Sequence, residues 1–144
     1  MIDCTDAPYR SALVLRNDAS ELVRMTEWIL GVCKAIGLPT RTAFALQLCL
    51  DEAVANIIEH GHGDARAREI VASVARERSD IVLTIEDDGG PFDLTTISAP
   101  QRRKSLEDTP VGGLGIHLMR QFANAIEYRR EGGRNRLRLT FAGT

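Results

Sequence analysis

Apolar positions change their period several times along the chain, and each change marks an element. Residues 46–61 read LQLCLDEAVANIIEHG. At about 100° per residue, Leu46, Leu50, Ala53, Val54, Ile57 and Ile58 fall in one arc, while Glu52, Asn56 and Glu59 cluster nearly opposite. This predicts an amphipathic helix opened by Thr40 as N-cap, running to about His60 and ended by Gly61 and Gly63. Upstream, Leu22, Val23, Met25, Ile29, Leu30, Val32 and Cys33 keep a helical period from Ala19 to about Ile36, where Gly37 stops the first helix. Residues 11–16 (SALVLR) form a short apolar strand that runs into Asn17-Asp18 as a helix cap.

Beyond the second helix the period drops to two. Residues 69–76 (EIVASVAR) and 80–87 (DIVLTIED) alternate around a polar turn, the pattern of an antiparallel hairpin. Residues 125–130 and 135–141 form a second hairpin around Glu131-Gly132-Gly133-Arg134, with Leu137, Leu139 and Phe141 on one side. Between the hairpins, Ile116, Leu118, Met119, Phe122 and Ala123 mark a third helix, preceded by Gly112-Gly113-Leu114-Gly115. Residues 91–111 show neither period and read as a long lid or binding loop. The order β-α-α-β-β-lid-α-β-β lacks alternating βαβ units. It predicts an α+β, two-layer sandwich with helices on one face of a mixed, mostly antiparallel sheet.

At 144 residues the chain is expected to be a single domain, residues 1–144. With 44% hydrophobic and 26% charged residues it is neither disordered nor membrane-spanning in composition. The start MIDCTDAPYR lacks a signal-peptide pattern, so a cytoplasmic location is expected. A net charge of -2 argues against a nucleic-acid partner. Cys4, Cys33 and Cys49 have neither disulfide-framework nor zinc spacing; Cys33 and Cys49 read as buried small residues.

Three stretches carry candidate chemistry. Glu52 and Asn56, at i and i+4, share one exposed line flanked by the small Ala45 and Cys49, either as a solvated face or as a carboxylate and an amide aimed at one ligand. Strand parity turns Asp87 inward with Ile81, Leu83 and Ile85, and Asp88 outward. An inward carboxylate is costly unless satisfied. In DDGGPFD it either serves a tight turn or accepts a hydrogen bond from an exocyclic amine such as that of adenine. The glycines of residues 112–115 are either a flexible turn or a phosphate cradle at a helix N-terminus. No GK[ST] follows, and no βαβ unit surrounds them.

In order and spacing these stretches resemble the ATP-binding boxes of the GHKL (Bergerat-fold) ATPases, most closely the small anti-sigma-factor serine/threonine kinases. DEAVANIIEHG resembles the E-x-x-x-N helix, implying Glu52 as general base and Asn56 as the Mg²⁺ ligand. DDGGPFD resembles D-x-G-x-P-F-D, implying Asp87 on the adenine amine and Gly89 beneath the base. GGLGIHLMRQFAN resembles the G-x-G box, implying Gly113 and Gly115 near the phosphates. In the lid, Arg102, Arg103 and Lys104 either reach the terminal phosphates or are solvated; His60 matches the first box or simply ends a helix, and no zinc site forms from His60 and His62.

The resemblance implies ATP and Mg²⁺ as ligands, a STAS-type anti-sigma-factor antagonist as phosphorylation substrate, a sigma factor or analogous regulator as alternative partner, and a homodimer. Two other functions compete. One is a non-catalytic ATP-binding module that sequesters a partner. The other is a detached histidine-kinase catalytic domain, for which 144 residues are expected to leave no space for a dimerisation helix carrying a phosphoacceptor histidine unless it lies on another chain. The presence of both Glu52 and Asn56 favours the enzyme.

Overall fold

In the computed structural model, residues 8–60, 69–96 and 113–143 are described. Strand β1 (Tyr9–Arg16) leads through a short 3-10 turn (Ala19–Glu21) into helices α1 (Leu22–Ile36) and α2 (Thr40–His60). The hairpin β2 (Glu69–Glu77) and β3 (Asp80–Asp87) follows. Helix α3 (Gly113–Phe122) precedes the hairpin β4 (Ala125–Glu131) and β5 (Arg134–Ala142). The strands pair in the order β1-β2-β3-β5-β4, and every pairing is antiparallel. This is the α+β arrangement expected from the periods.

Alternation places one residue in two toward the helices. Leu13, Ala72, Ile85, Leu137 and Tyr128 stand opposite one another across the five strands. The adjacent inward row begins with Leu15 and Ile70 and then turns polar at Asp87, Asn135 and Arg130. The other face carries polar pairs, among them Arg136 Nε to Glu86 Oε1 at 2.7 Å and Arg138 Nη2 to Glu77 Oε2 at 2.8 Å. Exposed pairs of this kind add little stability.

Local chemistry sets the helix ends. Gly37 is left-handed, with φ 74, and its N–H reaches the Cys33 carbonyl at 3.0 Å while that of Leu38 reaches the same oxygen at 3.1 Å. This double closure on the Cys33 carbonyl caps the end of α1. Arg76 of β2 donates to the Ile36 carbonyl at 3.1 Å, and Trp28 Nε1 donates to Ser11 Oγ at 2.9 Å, so α1 is tied to the sheet. Asp18 caps the 3-10 turn by accepting from the Ser20 N–H at 3.0 Å.

Several sequence expectations need correction. Thr40 is the first helical residue rather than the cap, because the Pro39 carbonyl already accepts the Ala43 N–H at 2.9 Å. In α1, Val23 and Leu30 share the helical period yet are 69% and 51% exposed. Their side faces away from the sheet, which a period alone does not reveal. The segment from Pro91 is not irregular throughout: Leu94–Thr96 form a 3-10 turn with Leu94 buried in the core. Residues 97–112, with Arg102, Arg103 and Lys104, lie outside the described residues, as do Cys4 and His62. Among the described residues, no helix is long and apolar enough to cross a membrane.

The core rests on the middle of the sheet. Leu83 is fully buried at the centre of β3, opposite Val74 on one side and Leu139 on the other. Replacing it with Ala is expected to cost about 2–5 kcal/mol, because the lost contacts leave a cavity between two paired strands. Urea titration checks this, with the midpoint falling and the slope unchanged.

Candidate functional site

The site grows out of α2. This helix touches α1, α3, β3 and β5, so its sides as well as its sheet-facing arc are covered. The line of Glu52 and Asn56, flanked by Ala45 and Cys49, is therefore not the exposed docking face expected from the helical wheel. Ala45 and Cys49 are buried, Glu52 is half-buried, and Asn56 is only 6% exposed. The flanking helices widen the buried arc beyond what one amphipathic stripe predicts. Cys49 is inert as a nucleophile, because burial and, secondarily, the Glu52 charge push its thiol up to about 12.

Asn56 is anchored by its own helix. Its Nδ2 donates to the Glu52 carbonyl one turn earlier at 2.7 Å. Its Oδ1 takes no hydrogen bond from any described residue, although the side chain is buried. A buried amide oxygen without a partner calls for an explanation, and an oxygen-seeking cation supplies one. No cluster of three or more His, Cys, Asp or Glu side chains suited to a metal occurs among the described residues. That donor set fits Mg²⁺, which takes few protein ligands and shares the rest with phosphates and water.

Asp87 ends β3 on the inward face, as strand parity predicts, and is 3% exposed. Its Oδ1 accepts the Gly89 N–H at 2.9 Å, a turn that brings the buried Gly89 beneath the strand end. Ile57, Ile85, Asp87, Phe92, Leu94, Tyr128, Asn135 and Leu137 line a cavity of about 20 Å³ around this carboxylate. That is space for about one water. Leu94 is held there by the 3-10 turn, in which Asp93 Oδ1 accepts both the Thr95 N–H at 2.8 Å and its hydroxyl at 2.5 Å. Arg120 of α3 donates to the Thr95 carbonyl at 2.7 Å.

Ile57 of α2 lines the cavity with Asp87, whereas Asn56, its neighbour in sequence, is not among the lining residues. Helix α3 begins at Gly113, which puts Gly115 in its first turn, where backbone N–H groups lack helical partners. His60 closes α2.

Sequence reasoning missed Asn135, Tyr128 and Arg130. Asn135 donates to Asp87 and to the Gly90 carbonyl, and accepts from Tyr128 and Arg130. The signal was present: Asn135 has the parity of Leu137 and Leu139, as Asp87 has that of Ile85.

A family model for the histidine kinase-like ATPase domain matches residues 15–141. The chain belongs to this family. It is 38% identical over 100 residues to the serine/threonine-protein kinase BtrW of Bordetella bronchiseptica, an alignment spanning 69% of this chain and 70% of that protein. It is 22% identical over 116 residues to the serine-protein kinase RsbW of Halalkalibacterium halodurans, spanning 78% of this chain and 69% of that one. The histidine kinase domain of the Erythrobacter litoralis EL346 blue-light activated histidine kinase superposes with a TM-score of 0.53 at 15% identity. The superposition covers 86% of this chain and 60% of that one, and the likeness is one of fold.

Asp51, next to Glu52, is the titrating group this helix strains. Its carboxyl is raised above the usual 3.8, first by desolvation and then by the Glu52 charge. The folded chain thus holds this proton more tightly than the unfolded chain does. Stability is lost as pH rises from the ordinary carboxylate value through the raised one, and the loss persists at neutral pH. Asp51→Asn is expected to raise the thermal midpoint at pH 7 by on the order of 2 °C. The gain should shrink toward zero as the pH is lowered to about 4, which a series of calorimetric scans checks.

Proposed function

We propose that this chain is an ATP-dependent protein serine/threonine kinase acting as an anti-sigma-type regulator in a partner-switching system. The observation that carries the reading is the buried Asp87 carboxylate on a mostly apolar cavity to which Ile57 of α2 also contributes. An apolar slot with one carboxylate acceptor suits an amine-bearing aromatic ring. A buried amide oxygen and a glycine-opened helix suit the metal and phosphates that accompany it.

In this reading Asp87 accepts the adenine amine, and Gly89 lies beneath the base. Asn56 is the Mg²⁺ ligand through Oδ1, and the N–H groups at Gly113 and Gly115 face the phosphates. Bound MgATP supplies the phosphoryl group and the charge neutralisation its transfer needs. Glu52, half-buried one turn before Asn56, accepts the proton of the incoming hydroxyl as general base. The reading includes a lid at about residues 91–111, in which Arg102, Arg103 and Lys104 either reach the terminal phosphates or are solvated, and residues 1–144 as a single ATPase domain.

The proposed substrate is a STAS-type antagonist phosphorylated on Ser or Thr. A sigma factor or analogous regulator is the alternative partner, the kinase is a homodimer, and the setting is cytoplasmic. Both protein relatives are named as serine or serine/threonine kinases, and this favours the kinase over a histidine-kinase fragment.

Calorimetry with ATP and Mg²⁺ tests the site. Asp87→Asn is expected to weaken ATP about 10–100-fold, the worth of one hydrogen bond to a charged group. Asn56→Ala should abolish the magnesium dependence. In a phosphate-transfer assay with a STAS-domain protein, Glu52→Ala should keep ATP binding and slow transfer about 10²–10⁴-fold. Equal transfer by wild type and Glu52→Ala removes Glu52 from the mechanism, and no ATP binding at millimolar concentration removes the nucleotide site.

A further inference from the structure

Asn135 carries a role that none of the motifs assigns. It stands opposite Asp87 across the β3–β5 ladder and is 4% exposed. Its Nδ2 donates to Asp87 Oδ1 at 3.1 Å, to Oδ2 at 3.4 Å and to the Gly90 carbonyl at 2.9 Å. Its Oδ1 accepts the Tyr128 hydroxyl at 2.5 Å and Arg130 Nη1 at 3.0 Å. An amide has two donor hydrogens and two acceptor lone pairs, so Asn135 is saturated. A flipped amide would set oxygen against the Asp87 carboxylate and the Gly90 carbonyl, and NH₂ against a guanidinium. The neighbours therefore permit one orientation only.

The same hairpin also holds the glycine turn. Arg130 Nη1 donates to the Gly89 carbonyl at 3.0 Å, and Asn135 holds that of Gly90. Both glycines after Asp87 are thus tied to β4 and β5. The two oxygens of Asp87 are treated unequally. Oδ1 takes the Gly89 N–H at 2.9 Å and the shorter Asn135 bond, while among the described residues Oδ2 has only the 3.4 Å contact. Acceptor capacity remains at Oδ2, on a residue that lines the cavity.

We infer that Asn135, locked by Tyr128 and Arg130, is the positioning residue that makes this pocket select a ring bearing an exocyclic amine. By pinning Oδ1 it leaves Oδ2 as a fixed acceptor. A 6-amino purine presents a hydrogen to that acceptor, whereas a 6-oxo purine presents an oxygen and is repelled. The inference rests on the reading of Asp87 as the acceptor for the base.

The test is the ratio of dissociation constants for inosine triphosphate and ATP, each with Mg²⁺, measured by calorimetry on the full chain. Wild type should prefer ATP about 10–100-fold. Asn135→Ala should cut that ratio at least about fivefold, because Asp87 keeps its oxygens and loses their alignment. Tyr128→Phe keeps the ring and removes one bond to Asn135; it should cut the ratio about two- to fivefold even if Asn135→Ala fails to fold. Thermal midpoints measured alongside separate folding from selectivity. If both variants weaken the two nucleotides in proportion and keep the wild-type ratio, Asn135 is merely structural and the inference is overturned. A wild type that binds both nucleotides equally removes Asp87 as the base acceptor, a different failure that takes the inference with it.

Discussion

A carboxylate on the apolar side of a sheet must be answered by donors, and the placement of Asp87 organises much of this molecule. Burying an ionised carboxylate costs several kcal/mol unless its oxygens are hydrogen-bonded. Here the answer comes from two directions. The Gly89 N–H folds back onto Oδ1, and Asn135 reaches across from the neighbouring strand. Each donor imposes structure in turn. The first turns the chain sharply at the end of β3, and the second requires Tyr128 and Arg130 to saturate its own oxygen. A chain of polar groups thus runs through one inward row of the otherwise apolar helix-facing side of the sheet.

Helix α2 is the other half of this arrangement. Its apolar arc lies on the sheet, and α1 and α3 cover its flanks, so a side chain that looks exposed on an isolated helix is buried. Burial makes Asn56 chemically specific. Its NH₂ is consumed by the helix and its oxygen is left over. The same covering holds Cys49 unreactive and keeps Asp51 partly out of water, with each shifted upward mainly by desolvation. Core and site are therefore built from one helix, with the sheet-facing side supplying stability and a flanking line supplying polar groups.

The chemistry of the proposed kinase follows from this sharing. Positioning dominates phosphoryl transfer, and rigid elements position better than loops. Glu52 and Asn56 sit on a helix packed against two others and the sheet, and Asp87 sits on a central strand. Leu94, on one wall of the 20 Å³ cavity, belongs to a 3-10 turn held by Asp93 and Arg120.

Much of this was legible in the residues. Period two turned Asp87 inward together with Ile81, Leu83 and Ile85. Period 3.6 drew α2, Gly37 ended α1, and the order of elements pointed to helices on one face of a sheet. These are local consequences of backbone geometry, which each stretch carries by itself. What the tertiary structure decided is everything that depends on a neighbour distant in sequence. The burial of Asn56 needed the flanking helices, and the exposure of Val23 and Leu30 needed a side of α1 that no described residue covers. The bond from Asn135 to Asp87 joins residues 48 positions apart, and only the β3–β5 register brings them face to face. Parity states which way a side chain points, and the pairing of strands settles what it meets.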